Sequence, residues 1–132
     1  MSIEEIAVSE WLSLPDVAER LGTDVGTVRR IVQDGRLIAV PVGERRVRSV
    51  PADFLVPGPS GRPVVLAALA GTLVLLRDAG FSDEEALAWL FEPDPTLETL
   101  GNNPQGGPRT PVAALAAGFK TEIRRRAQAL GY

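Results

Sequence analysis

The sequence contains no cysteine and no histidine. The first absence excludes disulfides and thiolate-held metals. The second removes the side chain most used as a general base and metal ligand near neutral pH. A Cys–His nucleophile pair is therefore impossible, and no glycine-rich phosphate loop stands ahead of a helix. Aromatic residues make up only 5 %, so a core must be built from Leu, Val and Ala. Long apolar runs are also missing. The most apolar stretch, Val64 to Leu76, is shorter than the roughly 20 residues that span a bilayer, and Arg77 and Asp78 follow at once. The first ten residues hold Glu4, Glu5 and Glu10 and no basic-then-apolar run, unlike a secretory signal. These absences predict a cytoplasmic protein, off the membrane, that is not an enzyme and carries no metal or cofactor. Asp83, Glu84 and Glu85 read as first-turn helix charges, since nothing pairs with them at ligand spacing.

What is present is an ordinary globular composition: 45 % apolar and 23 % charged residues over 132 positions. The net charge is −3, but its distribution is uneven. Residues 1–19 carry five acids and no base. Residues 20–50 carry seven arginines against Asp24, Asp34 and Glu44. Residues 51–119 are acidic again, and 120–132 are basic through Lys120 and Arg124 to Arg126. A basic patch on an acidic body can still attract phosphate, because the field is screened beyond about 10 Å at moderate salt.

The pattern predicts four segments: a flexible arm over 1–10, a head over 11–56, a linker over 57–63 and a helical region over 64–132. In the head, Ser13 with Asp16 and Pro15 opens a helix whose inner face is Leu14, Val17, Ala18 and Leu21, closed by Gly22. Asp24 caps a second helix, with Val25, Val28, Ile31 and Val32 at helical spacing and Asp34-Gly35 as its stop. Two short helices joined at Gly22-Thr23 form a helix-turn-helix. Leu37 to Val42, a turn at Gly43-Glu44-Arg45 and Arg46 to Val50 then read as a two-stranded wing. Phe54 and Leu55 return to the core as an anchor.

Pro57 to Pro63 reads as the linker. Val64 to Ala79 reads as a helix, Ser82 with Glu85 opens another, and 96–109 reads as loop. Thr110-Pro111 starts a last helix running towards Leu130, with a bend near Gly118. The fold class is mainly α: a winged helix-turn-helix with a C-terminal helical extension.

A helix that enters the major groove needs donors for base edges. Thr27 and Arg30 fit that role, with Gln33 beside them and Arg29 at the edge. Arg29 and Arg36 suit phosphates, which position a protein without reading sequence. Arg45, Arg46 and Arg48 suit the minor groove or flanking backbone, and strand alternation places Arg46 and Arg48 on one face. The predicted partner is double-stranded DNA, in the nucleoid. The basic run of Lys120 and Arg124 to Arg126 reads as a solvated helix face, with a secondary phosphate contact as the alternative. Leu87, Trp89, Leu90 and Phe91 read as core or as a patch for a protein partner. Dimerisation through Val64–Ala79 or the last helix is a further expectation.

The segment from Trp11 to Ala18, with Thr27-Val28-Arg29-Arg30 and Asp34-Gly35-Arg36-Leu37, resembles the winged helix-turn-helix heads of the MerR and phage-excisionase superfamily. Leu76 to Phe81, Ala88 to Leu97, Arg109 to Leu115 and Arg125 to Tyr132 resemble an actinobacterial family typified by a mycobacterial DNA-binding protein that is a serine/threonine-kinase substrate. That resemblance implies DNA binding, weakened by phosphorylation of a threonine in a flexible N-terminal arm. Residues 1–10 hold Ser2 and Ser9 but no threonine, and no phosphosite carries over. Trp89-Leu90, Pro93-Asp94-Pro95, Thr110-Pro111 and Leu115 are also similar to the toxin-binding domain of Xre/MbcA/ParS-type antitoxins, though with a longer loop. That second resemblance implies a protein-interaction module.

Overall fold

In the computed structural model, residues 3–102 and 106–131 are described. Ser2 of the arm, positions 103–105 of the loop and Tyr132 lie outside them. The chain opens with a 3-10 turn at Ile3–Glu5 and a short strand β1 at Trp11–Ser13, followed by helices α1 (Leu14–Leu21) and α2 (Val25–Gln33). Strands β2 (Val40–Val42) and β3 (Val47–Pro51) make the wing. A 3-10 turn at Ala52–Phe54 leads into a second hairpin, β4 (Leu55–Pro57) and β5 (Pro63–Val65). Helices α3 (Leu69–Asp78), α4 (Asp83–Phe91), α5 (Pro111–Ala116) and α6 (Lys120–Ala129) complete the fold, with 3-10 turns between Pro95 and Asn102 that are broken by a kink at Leu100-Gly101.

The helix-turn-helix is set by its caps. Ser13 Oγ accepts from Asp16 N, and Gly22 closes α1 at φ 73° with its N–H on the carbonyls of Ala18 and Glu19. Only glycine adopts that left-handed conformation without cost. Asp24 Oδ1 accepts from Thr27 N at 2.7 Å and opens α2. Helices α1 and α2 and the hairpin after them are observed as expected, but β2 starts only at Val40, not at Leu37, and the sheet gains a strand. Trp11–Ser13, expected to lead straight into the helix, pairs antiparallel with β3, Leu12 opposite Val50, so the order is β1-β3-β2. Leu12 and Val50 are both buried, which explains the pairing. The arm is anchored as well. Ile6 is buried, and Glu10 pairs with Arg20 at 2.9 Å.

Four further expectations are corrected. Pro57 and Pro63, at the ends of the stretch read as a linker, face each other across the β4–β5 hairpin. The helix expected from Val64 starts only at Leu69, because Val64 and Val65 belong to β5 and pair with Val56 and Leu55. The loop expected over 96–109 holds a 3-10 segment that buries Leu97 completely, capped by Asp94 Oδ1 accepting from Thr96 N at 3.0 Å. The expected bend near Gly118 is a full break between α5 and α6, with Gly118 at φ 97°.

One core joins the two halves. Phe54 is fully buried and packs on Phe91 of α4, ring centroids 5.9 Å apart. Leu69, Leu73, Leu76, Leu87, Leu90 and Ile123 are buried with it. Leu87, Leu90 and Phe91 therefore belong to the chain's own core. Arg126 is not on a solvated face. It donates to Asp94 at 2.9 Å, Thr96 at 2.8 Å and Glu122 at 3.0 Å, tying α6 to the loop after α4. Arg125 also pairs with Glu122. No helix among the described residues is long and apolar enough to cross a membrane.

Four carboxyls are held below their ordinary range. Hydrogen bonds from Thr27 act on Asp24, from the Ser82 N–H on Glu85 and from Thr96 on Asp94, while Arg126 acts on Glu122. A carboxyl with a depressed folded pKa stabilises the fold above its unfolded pKa and loses that contribution as pH falls through the folded one. No side chain of this sequence has an ordinary pKa between about 5 and 8, since histidine is absent. The melting temperature should therefore be level from about pH 7 to 5 and fall below about pH 4. Arg126→Met should lower it by several degrees at neutral pH and flatten part of the acid loss. Thermal melts across that range check both.

Candidate nucleic-acid interface

Helix α2 turns Val28 fully inward, with Val25, Ile31 and Val32 half-buried around it. At about 100° per residue the opposite line carries Arg30, flanked by Gly26 and Gln33, with Arg29 at one margin and Thr27 at the other. Gly26, Arg29, Arg30 and Gln33 are exposed, whereas Thr27, expected to point outward with them, is half-buried. The Thr27 hydroxyl accepts from Arg30 Nη2 at 3.2 Å, so the two side chains form a unit. Asp24 adds a negative charge at the start of this face, and the Arg30 charge helps keep it ionised, after the Thr27 hydrogen bonds.

Gly35 ends the helix at φ 79°, and the Arg36 N–H bonds Ile31 O at 3.1 Å. Arg36 is exposed at the far end of the same element. Arg29, Arg30, Arg36, Arg45 and Arg48 have no ion pair with a described carboxylate. Their charge is free to meet an external anion.

The wing also differs from its expected form at Arg46. Arg46 is not the first residue of the returning strand. The turn spans 43–46, opened by Gly43 at φ 79° and closed by Arg46 itself at φ 52°, with the Arg46 N–H on Gly43 O at 3.1 Å. A positive φ is uncommon for arginine, and strand alternation does not extend to it. Arg48 lies within β3 opposite Pro41. Arg46 lines a cleft of about 650 Å³ together with Ile3, Glu4, Pro41, Ser82, Glu84 and Glu85. Arg46 and Arg48 therefore do not form one basic edge. Arg46 shares that cleft with Glu84 and Glu85, and Arg48 does not line it.

Two arginines outside the expected set reach the helix-turn-helix. A β-carbon at Gly35 would fall 2.8 Å from Arg77 Nη1, so Arg77 of α3 covers the C-terminal end of α2, 3.7 Å from Asp83. Arg62, from the β4–β5 loop, lies over Gly22, where any side chain would collide with its guanidinium. The readable signal for that hairpin is the pair of apolar dipeptides, Leu55-Val56 and Val64-Val65, around a Pro/Gly stretch.

Residues 6–55 match the family model described as the DNA-binding protein Rv2175c wHTH domain, and residues 66–131 match the Rv2175c C-terminal domain of unknown function. The DNA-binding protein Rv2175c of Mycobacterium tuberculosis is 39% identical over 121 residues, covering 90% of this chain and 79% of the relative. The chain belongs to the Rv2175c family. The NMR structure of Rv2175c superimposes with a TM-score of 0.75 at 37% identity, covering 93% of this chain and 82% of that one. The Rv2175c models thus meet between Leu55 and Leu66, within the β4–β5 hairpin. The expected actinobacterial family with a winged helix-turn-helix head is the one observed.

Proposed function

We propose that this protein binds double-stranded DNA and acts as a transcriptional regulator. Helix α2 lies in the major groove, with Arg30, Thr27 and Gln33 at base edges and Arg29 and Arg36 on phosphates. The β2–β3 wing lies on the minor groove or the flanking backbone. The observation that carries this reading is the unpaired arginine face of α2, preceded by a helix-turn-helix turn and followed by a wing with its own unpaired cations. Membership of a family whose mycobacterial relative is named a DNA-binding protein supports it.

Counterion release makes such binding steeply salt-dependent, and each phosphate contributes a slope of about −0.9. Arg29, Arg36, Arg45 and Arg48 on phosphates should together contribute about −3.6 to the slope of log affinity against log salt. Arg48→Ala should reduce the slope by about 1 and weaken every duplex alike. Arg46→Ala should change it less, because Arg46 lies on a cleft shared with Glu84 and Glu85, which lower the local positive potential. Fluorescence anisotropy with labelled duplexes over a salt series measures both. Absence of salt-sensitive binding by the wild-type chain would sink the reading. Immunoprecipitation across the genome tests the regulatory part, with discrete sites near promoters as the expected result.

A further inference from the structure

The β4–β5 hairpin holds an arginine whose placement neither the fold nor the head explains. Its loop is stiff. Pro57, Pro59 and Pro63 restrict the backbone, Gly58 N bonds Arg62 O at 3.0 Å, and Gly61 N bonds Gly58 O at 3.1 Å. A β-carbon at Gly58 would fall 2.7 Å from Arg62 O, so glycine is needed for that closure. The backbone of Arg62 is thus fixed, and its guanidinium rests on Gly22, the residue that turns the chain from α1 into α2.

That position contributes little to stability. Gly22, Thr23 and Arg62 are all exposed, so the stacked guanidinium shields little apolar surface. Nor does it serve an ion pair, for no described carboxylate pairs with it. What remains is a preorganised, unspent positive charge. In helix-turn-helix complexes the first helix crosses the DNA backbone while the N-terminal residues of the second reach the bases. A cation on the turn between them sits at the groove's rim, beside phosphates. Arg36, whose N–H bonds Ile31 O, stands at the other end of α2, so a cation lies at each end of the helix.

We infer that the β4–β5 hairpin is a second wing, and that Arg62 contacts a DNA phosphate at the rim of the groove entered by α2. This rests on the DNA-binding reading above. Arginine suits the task, since its planar fork can take two phosphate oxygens at once.

The test uses the full chain, a labelled duplex and salt from about 50 to 200 mM. Arg62→Ala should lower the slope by about 0.9 and weaken unrelated duplexes several-fold and equally. Its melting temperature should stay at the wild-type value. Arg62→Lys should restore the slope, and Arg62→Glu should weaken binding further. An Arg62→Ala protein with wild-type slope overturns the inference, whether its affinity is unchanged or falls together with its melting temperature. If Arg48→Ala lowers the slope while Arg62→Ala does not, only the second wing is lost. If the wild-type chain shows no salt-sensitive binding, the DNA-binding reading falls and this one with it.

Discussion

Phe54→Ala is expected to lower the unfolding free energy by about 3–5 kcal/mol, the usual loss for a fully buried Phe. For a chain of this length that corresponds to a fall in melting temperature of roughly 10–20 °C. Phe54 is 0% exposed and stands where the two halves meet. Its 3-10 turn ends the head, its carbonyl accepts from Leu66 N at 2.8 Å, and its ring tilts at 47° onto Phe91 of α4. An aromatic pair of this kind adds about 0.5–1.5 kcal/mol to the burial of the two rings. The two tryptophans allow the halves to be followed separately, since Trp11 lies in β1 and Trp89 in α4. With Trp89→Phe the remaining emission reports the head, and with Trp11→Phe it reports the C-terminal half. Both probes should give the same midpoint in an otherwise wild-type chain, and both should shift together on Phe54→Ala. Phe54→Leu, which keeps most of the volume, should recover more than half of the loss. Two separate midpoints, with only one displaced by Phe54→Ala, would show that the halves unfold independently.

What could be read from the sequence divides by the range of the interaction. Elements announced by local chemistry were legible: Ser13 and Gly22 bounding α1, Asp24 and Gly35 bounding α2, Ser82 with Glu85 opening α4, and Thr110-Pro111 opening α5. Elements fixed by distant partners were not. β1 has three residues, too few to show alternation, and its partner Val50 is far along the chain from Leu12. The apolar run from Val64 suits a strand or a helix equally, and pairing with Leu55–Pro57 decides it. Arg126 looks like one of three solvated arginines until Asp94, 32 positions earlier, is brought against it. The site followed the same rule. The exposed face of α2 came from periodicity, but the positive φ of Arg46 leaves no trace in composition. Arg62 was hidden for a different reason. The proline and glycine content that stiffens its hairpin is also the content of a linker.

Arg30→Ala is expected to weaken binding to the preferred duplex by about 1–3 kcal/mol, the worth of one bidentate base contact. In contrast with the wing and hairpin arginines, the loss should be confined to sequences carrying the right base pair at one position. Arg30 is the side chain on the outward centre line of α2, and the bare Gly26 beside it lets the helix backbone approach closely. The Thr27 hydroxyl holds one of its terminal N–H groups at 3.2 Å and limits the swing of the guanidinium. Thr27→Val keeps the shape and removes that acceptor, so it should reduce discrimination at the same base pair by a smaller amount. Arg30→Lys keeps the charge but loses the planar fork, and should discriminate nearly as poorly as alanine. Competition with duplexes carrying single base-pair changes separates these outcomes. A base contact predicts that the penalty for one mismatch disappears in Arg30→Ala while the other mismatches keep theirs. If Arg30→Ala weakens all duplexes equally and reduces the salt slope by about 1, Arg30 is on a phosphate. Base reading would then fall to Gln33 and Thr27.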